Sequence, residues 1–497
     1  MGPGPLSSRV ATLCDEVIPR LGADVRAQVH GVRRRLDEPL RVAIAGRLKA
    51  GKSTLVNALI GRRVAPTEVG ECTRVVTQFR YGTADRVEVV RRDGSRVTLP
   101  LDESGMVPPR LGVPAAGVAF VDVTLTSDNL RAMTVVDTPG LSSTNTSVSE
   151  GARRALLGED LDGDSAGAIA TAEAVLYVFT QAVREDDLQA LESFRTVSAR
   201  LASNPINSVG VFTKADKLVG GGADPWPVAG PLAADQAQLL RRVVSDVVPV
   251  VGLLAETTEA GRLTAADCEA LRALSRLTPA DRTMLLASVD LFIGRDCPVS
   301  RQQRERLLRR LDLYGIGFAL AQLAARPDLG SGDLVRMLYQ ASGLPRLRHT
   351  LDQAFRWRTD AIKAGWALST LEKLAARAGR PADRELLRDA IERLLQQPQY
   401  HRLRLLEVAR LVTAGSVRLP APMEQELTRL ALSTDPAWVL GLPEATPEQL
   451  VTAALEAATR WRVYAVAGAS PAQSRVALVV HRGFHLLSQR LRAEVAS

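Results

Sequence analysis

The sequence predicts two parts: an α/β domain built on a mostly parallel sheet flanked by helices, and an all-α helical bundle or stalk. Three observations lead there. An apolar run, Val42 to Ala45, enters a loop bracketed by Gly46 and Gly51 and continues as an amphipathic helix carrying Leu55, Leu59 and Ile60. Short apolar runs then alternate with helical patterns to about residue 254, as in a sheet covered on both faces. From about Thr278 onward no strand pattern recurs, only long apolar stripes at helical spacing.

The first element is a helix. Residues 6 to 37 form it, with Val10, Leu13, Val17, Leu21, Val25, Val29, Val32 and Leu36 on one stripe and a bend at Pro19 or Gly22. After the first strand and helix, residues 62 to 73 lack periodicity and contain Pro66 and Gly70, which marks a loop. Strands are expected at 75–81, 86–90 and 96–99, the last two flanking the turn signal Asp93-Gly94. Further strands are expected at 119–125, 132–136, 174–180, 209–212 and from 247. Beyond Thr278, the stripe Leu347, Leu351, Phe355, Ile362, Trp366 keeps one face for more than five turns, and Thr446-Pro447-Glu448-Gln449 and Ser470-Pro471-Ala472-Gln473 are capping boxes. The expected domains are therefore 1–37, a helix joining the bundle; 38–277, the α/β domain; and 278–497, the bundle.

Composition sets the bounds. With 497 residues and 46% hydrophobic content the chain has room for two or three folded domains, which excludes a disordered protein. Cys14, Cys72, Cys268 and Cys297 are scattered without a C-x-x-C, so neither a zinc site nor a disulfide framework is expected, and a reducing cytoplasm fits. The five histidines and five tryptophans form no cofactor pattern; His481 and His485, four apart, lack an acidic or cysteine companion. No leader pattern opens the chain, and uncharged stretches such as 313–325 fall short of the ~20 residues that span a bilayer. That segment is expected to be a buried helix joining the two domains, and membrane association to be peripheral, at the inner face of the plasma membrane. The net charge of +8 is uneven: residues 299–497 hold 29 Lys and Arg against 19 Asp and Glu. A surface of that sign attracts anionic lipid or RNA, and a solvated helical exterior carries the same charges.

Three segments carry chemistry. The first, G-x-x-x-x-G-K-S from Gly46 to Ser53, is a phosphate-binding loop: glycines let the backbone wrap a polyphosphate and the helix N-terminus adds positive potential. Gly46, Lys49, Ala50, Gly51, Lys52, Ser53 and Thr54 form the expected cradle, with Lys52 on the β- and γ-phosphates and Ser53 on Mg²⁺. The second, Asp137-Thr138-Pro139-Gly140, leaves the end of a buried strand, where Asp137 can hold a water on Mg²⁺ and the Gly140 amide can reach a γ-phosphate. The third is Thr213-Lys214-Ala215-Asp216. A carboxylate there accepts from guanine N1–H and the exocyclic amine, whereas adenine offers no such donor pair, and the Lys214 stem covers the base. Together they select GTP and GDP over adenine nucleotides.

These residues carry a resemblance. GRLKAGKSTLVNALIG, Thr73 in ECTRVV, DTPG, AVLYVF and TKAD resemble the GTPase domain of the dynamin superfamily, in particular that of actinobacterial dynamin-like proteins, and the likeness extends to ASGLPRLRHTLDQAFRWRTDAIKAG at 341–365. It implies a P-loop GTPase domain with helical segments on both sides. It further implies that Thr73 closes over Mg²⁺ and the attacking water and that Gly140 holds that water. Leu141 stands where small GTPases place a water-orienting glutamine. Lys49 takes the loop position where eukaryotic dynamins carry a serine linked to a bound cation and guanylate-binding proteins an arginine finger. Lys49, Thr73 and Gly140 are thus the expected catalytic residues, and Ser53, Thr73 and Asp137 the expected metal ligands.

The expected function is hydrolysis of GTP coupled to bundle rearrangement for membrane binding, tethering or remodelling. Its expected partners are anionic lipid and either a second copy or a paralogous dynamin-like protein. Two other readings stand beside it: a ribosome- or RNA-associated GTPase, disfavoured because such proteins usually append a compact mixed domain with a G-x-x-G clamp whereas the chain after residue 278 reads as all helical, and a GTP-binding scaffold with little hydrolysis.

Overall fold

The protein is described by a computed structural model over residues 4–46, 49–66, 75–114, 117–138, 172–180, 208–220, 222–240, 244–356, 359–396, 401–413, 417–467 and 469–496. These residues form two compact units: one spans 39–354, the other combines 1–38 with 355–497.

The first unit is built on a sheet with nine strands among the described residues: β1 (Leu40–Gly46), β2 (Thr77–Tyr81), β3 (Arg86–Arg91), β4 (Arg96–Leu99), β5 (Val118–Leu125), β6 (Met133–Asp137), β7 (Ala174–Phe179), β8 (Ser208–Thr213) and β9 (Val247–Val250), in the order β4-β3-β5-β2-β6-β1-β7-β8-β9. From β6 through β9 every pairing is parallel. The mixed edge arises because β2 runs antiparallel to β6 and parallel to β5, while β3 is antiparallel to both β5 and β4. The sequence explains the division. AVLYVF and SVGVFT are continuous apolar runs buried along their whole length, as parallel strands covered on both faces must be. Edge strand β4 instead alternates exposed and half-buried residues. Register aligns the strand ends: Ile44 lies opposite Asp137, Gly46 opposite Val178, and Phe179 opposite Phe212, so several carboxyl ends reach one rim.

The domain boundary expected at 277/278 is corrected. Helices Pro279–Leu286, Val289–Gly294, Arg301–Ala325, Ser331–Ala341 and Leu344–Leu351 all lie in the unit of the sheet. Phe292, Leu307, Leu311, Leu320 and Leu338 share one core with Leu254, Leu271 and Leu274 from before the expected boundary. Helical periodicity reveals an apolar face but does not say which core receives it. The same holds for 313–325: Tyr314, Ile316, Ala319, Leu320 and Leu323 are buried inside this unit, so the segment does not join two domains.

The second unit is helical. The expected first helix is two, Pro5–Val17 and Ala23–Asp37, separated by a 3-10 turn at Ile18–Arg20 that contains Pro19. The first has no side-chain cap of its own; Asp360 supplies one, accepting from the Leu6 and Ser7 amides at 2.8 and 2.7 Å. At the far end of the second, buried Lys363 donates to the carbonyls of Leu36 and Glu38. Val10, Leu13, Val29, Val32 and Leu36 pack with Trp366, Leu371, Leu387 and Ile391 in one core. A second core gathers Leu405, Leu427, Trp461, Val480 and Phe484 from helices His401–Thr413, Ala421–Leu432, Pro447–Val466 and Pro471–Ala496. The stripe expected from Leu347 to Trp366 is buried throughout, but a π turn at Asp352–Arg356 interrupts it, and its two ends belong to different units.

Candidate nucleotide-binding site

Gly46 ends β1 with φ +147°, and a Cβ there would lie 2.1 Å from the Val178 carbonyl oxygen, so the strand can turn into the loop only with glycine. Lys49 comes next with φ 62°, exposed, in a backbone region that few non-glycine residues occupy. Gly51, φ +87°, caps helix Lys52–Ile60. The loop is braced from β8: the buried Thr213 hydroxyl lies 2.6 Å from the Ala50 carbonyl and 3.1 Å from that of Phe179. The sequence places Thr213 against nucleotide; in the fold its hydroxyl serves the loop.

Lys52 is buried, and its ammonium donates to the Gly46 carbonyl at 3.1 Å. Burial pushes its pKa down, and Asp137 opposes that shift. Asp137 ends β6 and accepts from the Ser53 hydroxyl at 3.4 Å, while its Oδ1 is buried with no hydrogen-bond partner among the described residues. Burial raises its pKa to about 6 against the lowering pull of Lys52 and Ser53. An orphaned carboxylate oxygen beside a hydroxyl fits a hard divalent cation, so Ser53 and Asp137 would hold Mg²⁺. The ion would spread polyphosphate charge and keep phosphate and water among its ligands. No group of three or more His, Cys, Asp and Glu able to hold a metal occurs among the described residues.

After β8, Lys214 adopts φ 55° and is exposed, and Asp216 is nearly buried, its pKa raised chiefly by that burial. Lys52, Ser53, Asp137 and the 213–216 segment therefore meet at the carboxyl ends of β1, β6 and β8. Ala50 is buried, and Thr54 lies in the first turn of its helix with its methyl 3.6 Å from a Cβ built on Gly252. Thr73 and Gly140 lie outside the described residues. Against this geometry stand the known proteins. The family model for the dynamin family matches residues 42–183. The isoniazid-induced protein IniC of Mycobacterium tuberculosis is 34% identical over 453 residues, 89% of this chain and 88% of its own.

The chain belongs to the dynamin family.

Membership in that family of GTPases carries guanine-nucleotide binding with it. This dynamin-family chain is also 31% identical over 118 residues, 21% of its length, to a bacterial dynamin-like protein of Nostoc punctiforme, of which that covers 17%. A solved chain from an oligomerised bacterial dynamin pair aligns over 98% of this chain and 91% of its own, at 14% identity and a TM-score of 0.35.

The sequence assigns no role to several residues of the site. Thr138 donates its hydroxyl to the Ile44 carbonyl at 2.8 Å, tying β6 to β1. Asn57, fully buried, accepts from the Val64 and Ala65 amides at 2.9 and 2.8 Å and donates to Glu256 at 2.9 Å, which fixes the chain as it leaves the phosphate-loop helix. Val251, after β9, donates its amide to the Ser342 carbonyl at 2.9 Å, and a Cβ on Gly343 would lie 2.6 Å from the Pro249 carbonyl. The Ser342-Gly343-Leu344-Pro345 run is a helix-start signal that marks this contact.

Proposed function

We propose that the chain binds GTP with Mg²⁺, hydrolyses it to GDP and phosphate, and couples nucleotide state to rearrangement of its helical unit for peripheral membrane binding, tethering or remodelling. The observation that carries the nucleotide part is the meeting of buried Lys52, the Ser53–Asp137 pair and nearly buried Asp216 on one rim. Lys52 neutralises the β- and γ-phosphates, Ser53 and Asp137 hold the cation, and Asp216 reads guanine. In this reading Thr73 and Gly140 order the attacking water. Lys49, at the turn of the loop, offsets charge developing on the β–γ bridge.

The membrane part draws support from charge. Between Glu456 and Glu494 lie six arginines and no acidic residue. Arg462, Arg475 and Arg482 are exposed there, and so are Val463, Val466 and Leu478. Cations beside exposed aliphatics suit an anionic lipid surface. No helix among the described residues is long and apolar enough to cross a membrane. Self-association or pairing with a paralogue belongs to the same reading and is visible as a GTPase rate per molecule that rises with protein concentration.

The test is direct binding of guanine and adenine nucleotides. GDP and GTP are expected to bind at least about a hundredfold more tightly than ADP and ATP, and Lys52→Ala to abolish that binding. Equal affinity for the two bases, or undiminished binding by Lys52→Ala, overturns the reading.

A further inference from the structure

Among the described residues three that are not glycine have positive φ: Lys49, Lys214 and Asp312. Two stand in the loops of the nucleotide site. The third lies inside helix Arg301–Ala325, at φ 52° and ψ −179°, close to a region that glycine alone visits readily. Such a conformation persists only where its surroundings enforce it. Here one carboxylate oxygen accepts from the amide of the next residue, Leu313, at 2.7 Å, and the other accepts from Lys217 Nζ at 2.6 Å.

Lys217 is the residue after Asp216. Its ammonium stands 3.8 Å from an Asp216 carboxylate oxygen and 2.6 Å from that of Asp312, so it is drawn away from the base-reading carboxylate. The surroundings hold this geometry from both sides. A Cβ on Gly222 would lie 2.9 Å from the Leu313 carbonyl, one on Gly317 would lie 3.0 Å from the Gly222 carbonyl, and Trp226 donates to the Tyr314 hydroxyl at 3.0 Å. The chain after Asp216 is thus packed closely against the helix just beyond the kink.

We propose that Asp312 is a specificity-determining positioning residue for the guanine base: by holding Lys217, it leaves both oxygens of Asp216 open to the two donors of guanine. The inference rests on the reading of Asp216 as the base-recognition carboxylate. Without Asp312, Lys217 closes on Asp216 and occupies an oxygen that the base needs. Asp312 touches no nucleotide and acts through Lys217.

The experiment measures equilibrium binding of GDP, xanthosine diphosphate and ADP to the full chain, with thermal unfolding alongside. Asp312→Asn is expected to weaken GDP about tenfold and to leave ADP unchanged, and Lys217→Met in the same chain is expected to restore GDP to within about threefold of the parent. Asp312→Gly, which suits the backbone and lacks the carboxylate, is expected to show the same loss and the same restoration even if Asp312→Asn folds poorly. GDP affinity unchanged in both variants, a loss shared equally by ADP, or a loss that Lys217→Met does not restore overturns the proposal. Asp216→Asn, measured beside them, is expected to exchange GDP for xanthosine diphosphate as the preferred ligand. If that exchange fails, the base-pocket reading falls and this proposal with it; if it succeeds while the Asp312 variants fail, only this proposal falls.

Discussion

Asp137 is a carboxylate whose surroundings oppose its own charge: burial raises its pKa to about 6, and the nearby Lys52 ammonium recovers only part of the cost. Metal binding needs the ionised form, so protons compete with Mg²⁺ as pH falls through about 6. The Mg²⁺-dependent part of GDP affinity is expected to fall about tenfold per pH unit below that point, and Asp137→Asn to remove both the Mg²⁺ effect and its pH dependence. The same pKa bears on stability without ligand. A pKa above the unfolded-state value contributes stability at low pH that is lost as pH rises through about 6, so Asp137→Asn is expected to stabilise the nucleotide-free protein above pH 6 and not below about pH 4. The distance from the usual 3.8 sets an upper bound of about 3 kcal/mol, readable by denaturant unfolding. Lys49 makes a separate prediction. Alanine keeps the Cβ that the left-handed backbone already tolerates, so Lys49→Ala removes the ammonium and leaves the turn. Turnover is expected to drop about a hundredfold with GTP affinity unchanged. An exposed loop lysine without a catalytic role leaves single-turnover rates at the parent value.

The elements around the loop carry a different kind of dependence. Asn57 uses its amide to satisfy two backbone N–H groups and the Ala65 carbonyl, and it also meets the buried carboxylate of Glu256. Asn57→Ala takes that partner from the two amides and the Ala65 carbonyl and leaves Glu256, among the described residues, with only Arg63 at 3.7 Å and Arg262 at 3.9 Å, so a loss of about 3 kcal/mol is expected, seen as a lower urea midpoint with an unchanged slope. A change below about 1 kcal/mol shows the network to be dispensable. This network is not legible in the sequence, because nothing in LVNALIG separates a structural asparagine from a solvated one. The strands are legible: Val42–Ala45, the run into Asp137, AVLYVF and the run into Thr213 announce themselves as buried, and the ends of the first, second and last bring Lys52, Asp137 and the 213–216 segment to one rim. Residues 279–351 are legible as helices but not as members of the nucleotide unit, since an apolar stripe is silent about its partner. Thr213 shows a further limit: its place after a strand is readable, but its commitment to Ala50 and Phe179 depends on strand register. The kink at Asp312 breaks no sequence rule, because aspartate in a polar helix draws no notice.

At the scale of the chain, charge divides with the fold. Residues 1–38 with 355–497 hold 26 Lys and Arg against 19 Asp and Glu, whereas 39–354 hold 37 against 36, so nearly all of the +8 lies in the helical unit. Within that unit the acid-free stretch from Arg460 to Arg492 is where a surface potential can build without internal cancellation. Each arginine near an anionic bilayer contributes about 1 kcal/mol, so replacing Arg462, Arg475 and Arg482 with alanine is expected to lower partitioning onto phosphatidylserine vesicles about a hundredfold. All three are exposed, so the helices lose no buried contact and thermal unfolding is expected to stay within a few degrees of the parent. Two controls separate causes. Raising salt shortens the Debye length and is expected to weaken the parent and hardly affect the triple variant. Val463→Ser with Val466→Ser is expected to weaken binding at every salt concentration, because burial of aliphatic surface is not screened. If the arginine variant instead loses affinity for ribosomal RNA while keeping its affinity for vesicles, the basic stretch serves nucleic acid, and the membrane part of the function gives way while the nucleotide part stands.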